Sequence, residues 1–544
     1  MTGVEGSRIS IDSYMKPPCD EAVVRTGSQA VPCRADSGPW ILVATILGSS
    51  MAFIDSTVVN VALPALQSNL HATVVDVQWV VASYGLFLSA LILVGGALGD
   101  SVGRRLVFLL GAGLFAFASI GCAFSSNVLQ LIVARSAQGI GAAALVPGSL
   151  AIISTSFDEQ SRGKAIGTWS GFTAITTALG PVIGGWLIEH ASWHWIFFIN
   201  VPLAAAVLLI SLYHVPESRN PNPQGIDWWG AFLATVSFAG MVYGFLEATR
   251  LGWRNPLVLA ALIAGVVALL VFIFVERRVA APMIPLGLFE SPAFGGANLL
   301  TLLLYAAIGG FFFFFPLNLI QIQGYSATAT GAAALPVILL MFLLSRWSGG
   351  LITRYGSRTP LIIGPLLAAL GLFLFAVPSV KSSYWTAFFP AFVVLGLGMA
   401  VSVAPLTTVV MGSVENDRAG TASGINNAIA RLAGVLAIAI LGNVMVPAFR
   451  SNLERSIGSL GLPPAVMRDI QANSVNVGNL TVPAGLDVAT AAAVRADIAR
   501  AFVFGFRCVM LISGCLAIAA AVVALILIPS KERSARPSRQ HPSS

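Results

Sequence analysis

The chain has 544 residues, 56% of them hydrophobic and only 10% Asp, Glu, Lys or Arg, where soluble domains carry about 25% charge. That shortage, with a mean hydropathy of +0.85, excludes a soluble fold of this size, a disordered chain and a fibrous one, and points to an all-α polytopic membrane protein. The net charge of +7 reads as basic residues kept on one face of a bilayer; no basic cluster interleaves with aromatics, so a nucleic-acid partner is not expected.

In chain order, residues 1–39 are polar, lack an apolar stretch and are expected to form a disordered cytoplasmic tail. Fourteen helical spans follow: 40–64, 78–98, 106–125, 128–150, 165–187, 194–213, 228–247, 256–275, 296–320, 328–352, 359–378, 384–409, 421–445 and 502–528. Each is long enough to cross a core of ~30 Å as a helix. Alternating segments of about ten residues, the mark of a membrane barrel, do not occur. The spans hold six of the 53 charged residues, namely Asp55, Arg135, Glu247, Arg346, Arg431 and Arg507.

Span 1 carries Asp55, the one acid deep inside a span, with Asn60 and Pro64 after it. An ionised carboxylate in hydrocarbon is costly, so Asp55 is expected to face a cavity and to serve function. Span 2 ends in a glycine-rich, charged loop holding Gly96, Asp100, Gly103, Arg104 and Arg105. It reads as a gate in which Asp100 accepts from a neighbouring helix N-terminus and the two arginines anchor at the interface. A plain basic anchor is the alternative. Span 4 places Arg135 at a depth similar to Asp55, with Gln138 one turn on. The two charges read as a proton-coupling pair, or else as a fixed structural ion pair. Gly180, Pro181, Gly184 and Gly185 in span 5 suit close packing and a hinge, with Pro181 expected to kink the helix.

Spans 7 and 8 read as an insert between two halves. Phe311–Phe315 in span 9 must cover every helix face; most rings are expected to meet lipid or other helices, and one or two to line an apolar cavity. After span 10 the chain echoes the loop after span 2: Gly349 to Gly356 repeats the seven-residue step of Gly96 to Gly103, and each copy ends basic. The expected domains are a six-helix bundle at 40–213, a linker with the inserted pair at 214–295, and a second, pseudo-symmetric bundle at 296–528. The last includes an extracytoplasmic loop at 446–501 that forms a small, partly helical cap, and 529–544 forms a cytoplasmic tail. Arg346 and Arg507 read as snorkelling. Arg431 is too deep for that and is expected to meet an anionic substrate group or a backbone carbonyl. Glu189 and Glu247 sit at outer helix ends and read as interfacial, with a proton relay as the alternative. Asn60, Gln138, Asn427 and Arg431 are the candidate cavity residues. Short loops on the side of the termini carry ten basic residues against three on the other, which places both termini in the cytoplasm.

Other chemistries find no support. Of four lysines only Lys164 follows a glycine, and Ala165 comes next, so there is no P-loop. Five histidines show no metal spacing, and five cysteines show neither a disulfide framework nor a Cys-x-x-Cys pair. No Gly-x-Ser-x-Gly nucleophile elbow occurs. Neither an enzyme nor a cofactor is expected.

Taken together these stretches resemble the fourteen-helix drug:proton antiporter branch of the major facilitator superfamily. Asp55–Pro64 is similar to that branch's first-helix signature, Gly96–Arg105 to the superfamily's loop motif, Leu131–Ala143 to its fourth-helix motif, and Gly180–Gly185 to the antiporter motif of exporters. Trp195–Pro202, Gly324-Tyr325-Ser326 and the stretch from Ala419 through Asn427, Arg431 and Gly434 extend the match. Ser101, Thr176, His194 and Thr353 depart from it, and span 10 lacks the acid that some relatives use for divalent cations. The resemblance implies a proton-coupled exporter of amphiphilic small molecules such as drugs and antibiotics, neutral or monocationic rather than dicationic. It implies a bacterial plasma-membrane location, alternating access, no cofactor beyond the proton gradient, and a monomer. A dedicated metabolite or lipid exporter of the same fold, and a non-transporting membrane receptor or scaffold, are the alternatives.

Overall fold

In a computed structural model, residues 37–220, 225–415, 418–474, 477, 480, 482 and 486–530 are described, apart from the side chains of 159, 160, 346 and 419. Both tails therefore lie outside the described residues, save for 37–39 and 529–530, and so does the side chain of Arg346. Fourteen helices are long and apolar enough to cross a membrane: α1 Gly38–Asn69, α2 Val74–Val102, α3 Arg104–Ala123, α4 Val128–Ser156, α5 Ser161–His190, α6 Trp195–His214, α7 Trp228–Leu251, α8 Pro256–Glu276, α9 Pro292–Ile322, α10 Ala327–Ser345, α11 Arg358–Phe375, α12 Tyr384–Gly412, α13 Gly420–Leu460 and α14 Val488–Leu527. With fourteen crossings, the start of α1 and the end of α14 lie on one side, called here the terminal side; the other is the distal side.

Short polar residues start these helices by satisfying their first free amides. Thr73 and Asp76 form a capping box on α2, Asn127 caps α4, and Ser326 caps α10. Proline stands at the first turn of α8 and of α9, where its missing N–H costs nothing. The helices outrun the hydropathy peaks: α13 and α14 reach far into 446–501, and a separate short helix, Pro464–Ala472, lies between them. The expected cap is thus mostly the ends of two membrane helices. The reason is that helix formation continues past the bilayer wherever backbone bonds can form, while hydropathy reports only the apolar stretch.

Packing repeats itself with a shift of eight helices. The pairs α1–α5, α1–α6, α2–α4, α3–α4 and α3–α6 pack together, and so do α9–α13, α9–α14, α10–α12, α11–α12 and α11–α14. The two bundles meet along α2–α13 and α5–α10, which exchange under the same shift. The inserted α7 packs on α2 and α13 and carries α8 on its outer face. The loop echo has a structural counterpart. Gly103 and Gly356 both adopt positive φ, +143° and +75°. Each lies against the segment that follows its bundle's last helix: a Cβ on Gly103 would stand 2.8 Å from Glu217 Oε1, and one on Gly356 2.7 Å from the Ser530 carbonyl.

Candidate functional site

A cavity of about 940 Å³ lies between the bundles, bounded by α1, α5, α9, α10 and α12. Thr57, Asn60 and Tyr305 are among its polar wall residues, and among the described residues no acidic or basic side chain lines it. On its distal side the bundles touch closely. The Pro181 carbonyl occupies the space a side chain on Gly331 would need, and the Ala327 carbonyl does the same at Gly185. Glu189 reaches from α5 across this seam and accepts from the amide and the hydroxyl of Thr328, each at 2.7 Å, at the start of α10. On the terminal side α5 and α10 part: Gly167, Ser170 and Gly171 face Met341, Phe342 and Ser345 across the cavity. Glu189, expected to be merely interfacial, is a cross-bundle tie that caps α10. Its position at a helix end was legible; its partner was not.

The phenylalanine run meets its expectation. Phe311, Phe313, Phe314 and Phe315 are buried, Phe311 and Phe315 pack with Phe375 and Phe392, and Phe312 and Phe315 line the cavity. Asn60 lies in the cavity wall with a buried Oδ1 that has no partner.

Asp55 and Arg135 form an ion pair, 0% and 1% exposed. The guanidinium also donates to Gln138 Oε1 at 2.8 Å and to the Val80 carbonyl at 3.2 Å, and stacks on Tyr84 with 4.3 Å between its carbon and the ring centroid. Gln138 donates to Asp55 at 3.2 Å and to Ser119 at 2.7 Å, and Asn200 donates to Asp55 at 3.3 Å. Two expectations change here. Asp55 does not face the cavity; it faces the interior of its own bundle, held by α4 and α6. Gln138 belongs to this network and not to the cavity wall. Burial makes the difference: two charges and an amide satisfy one another, so none needs to reach solvent.

The charged loop also differs from expectation. Asp100 accepts from Arg104 of its own loop, at 2.8 and 2.7 Å, and not from a neighbouring helix N-terminus. That role falls to Glu217, unanticipated in the sequence, which accepts from the amides of Arg105 at 3.0 Å and Leu106 at 3.1 Å at the start of α3. Arg105 binds the Val215 carbonyl at 3.1 Å. The loop is thus tied to the segment after α6 within the first bundle. An acid shortly after a helix offered no signal that it would return to an earlier loop.

Helix α5 runs unbroken through Pro181. Gly180 lies against Ile54 and Thr57, and Gly184 against Val58, so the motif packs α5 on α1 as well as on α10. Thr176, one of the departures, donates to Ser50 of α1 at 2.9 Å. Asn427 is exposed and bonds the Ser423 carbonyl of its own helix, outside the cavity wall. Arg507 ties α14 to the end of α11 through the carbonyls of Val377 and Pro378, at 3.2 and 3.3 Å. Glu247 is buried between Trp79 and Arg250 and fastens the inserted α7 to α2. Arg431 sits between the bundles, its guanidinium 5.4 Å from the Phe53 ring.

Comparison with known proteins agrees with this architecture. The family model described as Major Facilitator Superfamily matches residues 45–246 and 223–438. The chain is 34% identical over 440 residues to the multidrug resistance protein Stp of Mycobacterium tuberculosis, covering 80% of each. It is 32% identical over 514 residues to the tetracenomycin C resistance and export protein of Streptomyces glaucescens, covering 93% of each. With the methylenomycin A resistance protein of Bacillus subtilis it shares 32% over 406 residues, 74% of this chain and 87% of the relative. Among solved structures, a bacterial homologue of the human lysosomal transporter Spinster superposes with a TM-score of 0.62 at 17% identity, covering 90% of this chain and 98% of that one. A D-xylose–proton symporter superposes at 0.58 and 15%, covering 91% and 98%. These two share the fold. The chain is a multi-pass membrane transporter and belongs to the Major Facilitator Superfamily, related to its fourteen-span drug-resistance exporters.

Proposed function

We propose that this protein is a proton-driven exporter of amphiphilic small molecules in the bacterial plasma membrane, with the terminal side cytoplasmic. The observation that carries the proposal is the cavity between the bundles: largely apolar, shut by the Pro181–Gly331 and Glu189–Thr328 contacts on the distal side, and parted between α5 and α10 on the terminal side. Such a cavity takes an apolar frame from the cytoplasmic side or the inner leaflet. Export requires the seams to exchange, and the like packing of α5–α10 and α2–α13 gives two related arrangements to exchange between. The names of the drug- and antibiotic-resistance relatives support the substrate class.

Asp55 is the proposed proton site. Protonating it removes Arg135's counter-charge inside the first bundle, and an uncompensated buried guanidinium costs several kcal/mol. Arg135 also holds Val80 and Tyr84 of α2, a seam helix. A change at Asp55 therefore acts on α2, and a few kcal/mol suffices to shift a two-state equilibrium. In this reading the Gly96–Arg105 loop gates by fixing the terminal end of α2, and the Gly180–Gly185 stretch serves as the seam on which α5 moves. Purified protein in liposomes with an imposed pH gradient tests the proposal: compounds from an amphiphile panel should accumulate against their gradient with proton counterflow. No flux of any compound, with no proton signal, would refute it.

A further inference from the structure

The face of α13 that meets the first bundle carries a single charge. Along it Gly424 lies against Leu93, Ala428 packs on the first bundle's core, Val435 lies against Gly85, and the Ile438 carbonyl accepts from Gln78 at 2.8 Å. Arg431 falls between them, midway along the seam. Its Nε is buried without a hydrogen-bond partner, and among the described residues no acid pairs with it. The aromatic groups around it are Phe53, Tyr84 and Tyr305. Tyr84 donates its hydroxyl to the Ala52 carbonyl at 3.0 Å. Tyr305 also lines the cavity, so the guanidinium has a cavity-wall side chain among its neighbours.

A guanidinium at mid-membrane without a counter-charge is expensive. The other deep arginine described inside a bundle, Arg135, has Asp55; Arg507 has two helix-end carbonyls. Arg431 has neither, and it stands where substrate and both bundles meet. An anion delivered there would satisfy it. A cationic amphiphile would find no carboxylate among the described residues of the cavity wall and would meet a like charge near Tyr305.

We propose that Arg431, near Tyr305, anchors an anionic group of the substrate, so that the exported class is amphiphilic monoanions: carboxylates, phenolates or enolates on an apolar frame. This rests on the exporter reading above, and it replaces the neutral or monocationic class that the sequence resemblance implied.

The test uses the full-length protein in liposomes under a pH gradient, with three probes on one coumarin frame: a carboxylate, its neutral methyl ester and an aminoalkyl cation. Arg431→Gln should raise KM for the carboxylate about tenfold or more, as loss of a charged hydrogen bond does, and leave the ester unchanged. Arg431→Lys should keep part of the preference, and Tyr305→Phe should give a smaller rise confined to the carboxylate. An equal effect of Arg431→Gln on all three probes, or a wild-type preference for the cation, would overturn the inference. If ester and cation are exported and the carboxylate is not, the inference fails while the exporter reading stands. If no probe moves under any gradient, the exporter reading fails and takes the inference with it.

Discussion

Asp55→Asn tests whether the buried pair does more than hold the first bundle together. The substitution keeps shape and removes charge. Both partners are almost wholly buried, 0% and 1% exposed, so solvent does not screen the loss. Removing one member of a buried pair costs about 3–5 kcal/mol. Here the guanidinium retains Gln138, the Val80 carbonyl and the Tyr84 ring, and Asn still offers an acceptor, so the lower end of that range, about 3 kcal/mol, is expected. Unfolding in detergent measures it. The double variant Asp55→Asn with Arg135→Gln leaves two neutral amides and should recover most of the loss, giving a coupling energy of about 2 kcal/mol or more in the cycle. Flux is the second readout. Asp55→Asn should abolish accumulation driven by a pH gradient while sparing downhill exchange of substrate. Full gradient-driven accumulation in that variant would refute Asp55 as the proton site, and an unchanged stability would refute the energetic argument as well.

Three further outcomes follow from the contacts. Gly331→Val places a branched side chain where the Pro181 carbonyl stands; it should force the distal seam apart, read as a longer distance between spin labels on the distal ends of α5 and α10. Gly103→Ala forces a Cβ onto a residue at φ +143° and against Glu217; it should destabilise the protein by more than about 1 kcal/mol, and Glu217→Gln should restore none of it. At the start of α14, the Thr490 hydroxyl and the amides of Thr490 and Ala489 hold the Asp487 carboxyl below its ordinary value. A carboxyl with a depressed folded pKa stabilises the cap above the ordinary carboxylate range, and that stabilisation is lost as pH falls through the folded value. The protection factors of the first α14 amides, taken against their intrinsic exchange at each pH, should therefore fall at acid pH in wild type and show no such fall in Asp487→Asn.

Glu189 and Glu217 show where reading from the sequence stops. Both are acids at helix ends, and both looked interfacial or went unremarked. Glu189 ties the two bundles together across the distal seam, and Glu217 caps a helix more than a hundred residues earlier in the chain. Gln138 and Asn427 lie on helices where polar residues suggest a cavity, yet one joins the Asp55 network and the other turns to its own helix. By contrast Asp55 and Arg135 were legible as partners, because each helix rises at a fixed ~1.5 Å per residue and so sequence position converts to depth.

That conversion marks the division. Fourteen spans, the repeated Gly-to-Gly loop and the levels of Asp55 and Arg135 follow from hydropathy and residue spacing, which act along one axis. Direction around each helix, and the neighbour found there, depend on how helices pack against one another. Only the tertiary structure decided that Asp55 points into its own bundle, that no charged side chain among the described residues lines the cavity, and that Arg431 stands at the seam with no acid paired to it among those residues. In a low-dielectric interior the interaction of a charge is set by its nearest neighbours within a few ångströms, and helices far apart in the chain supply them.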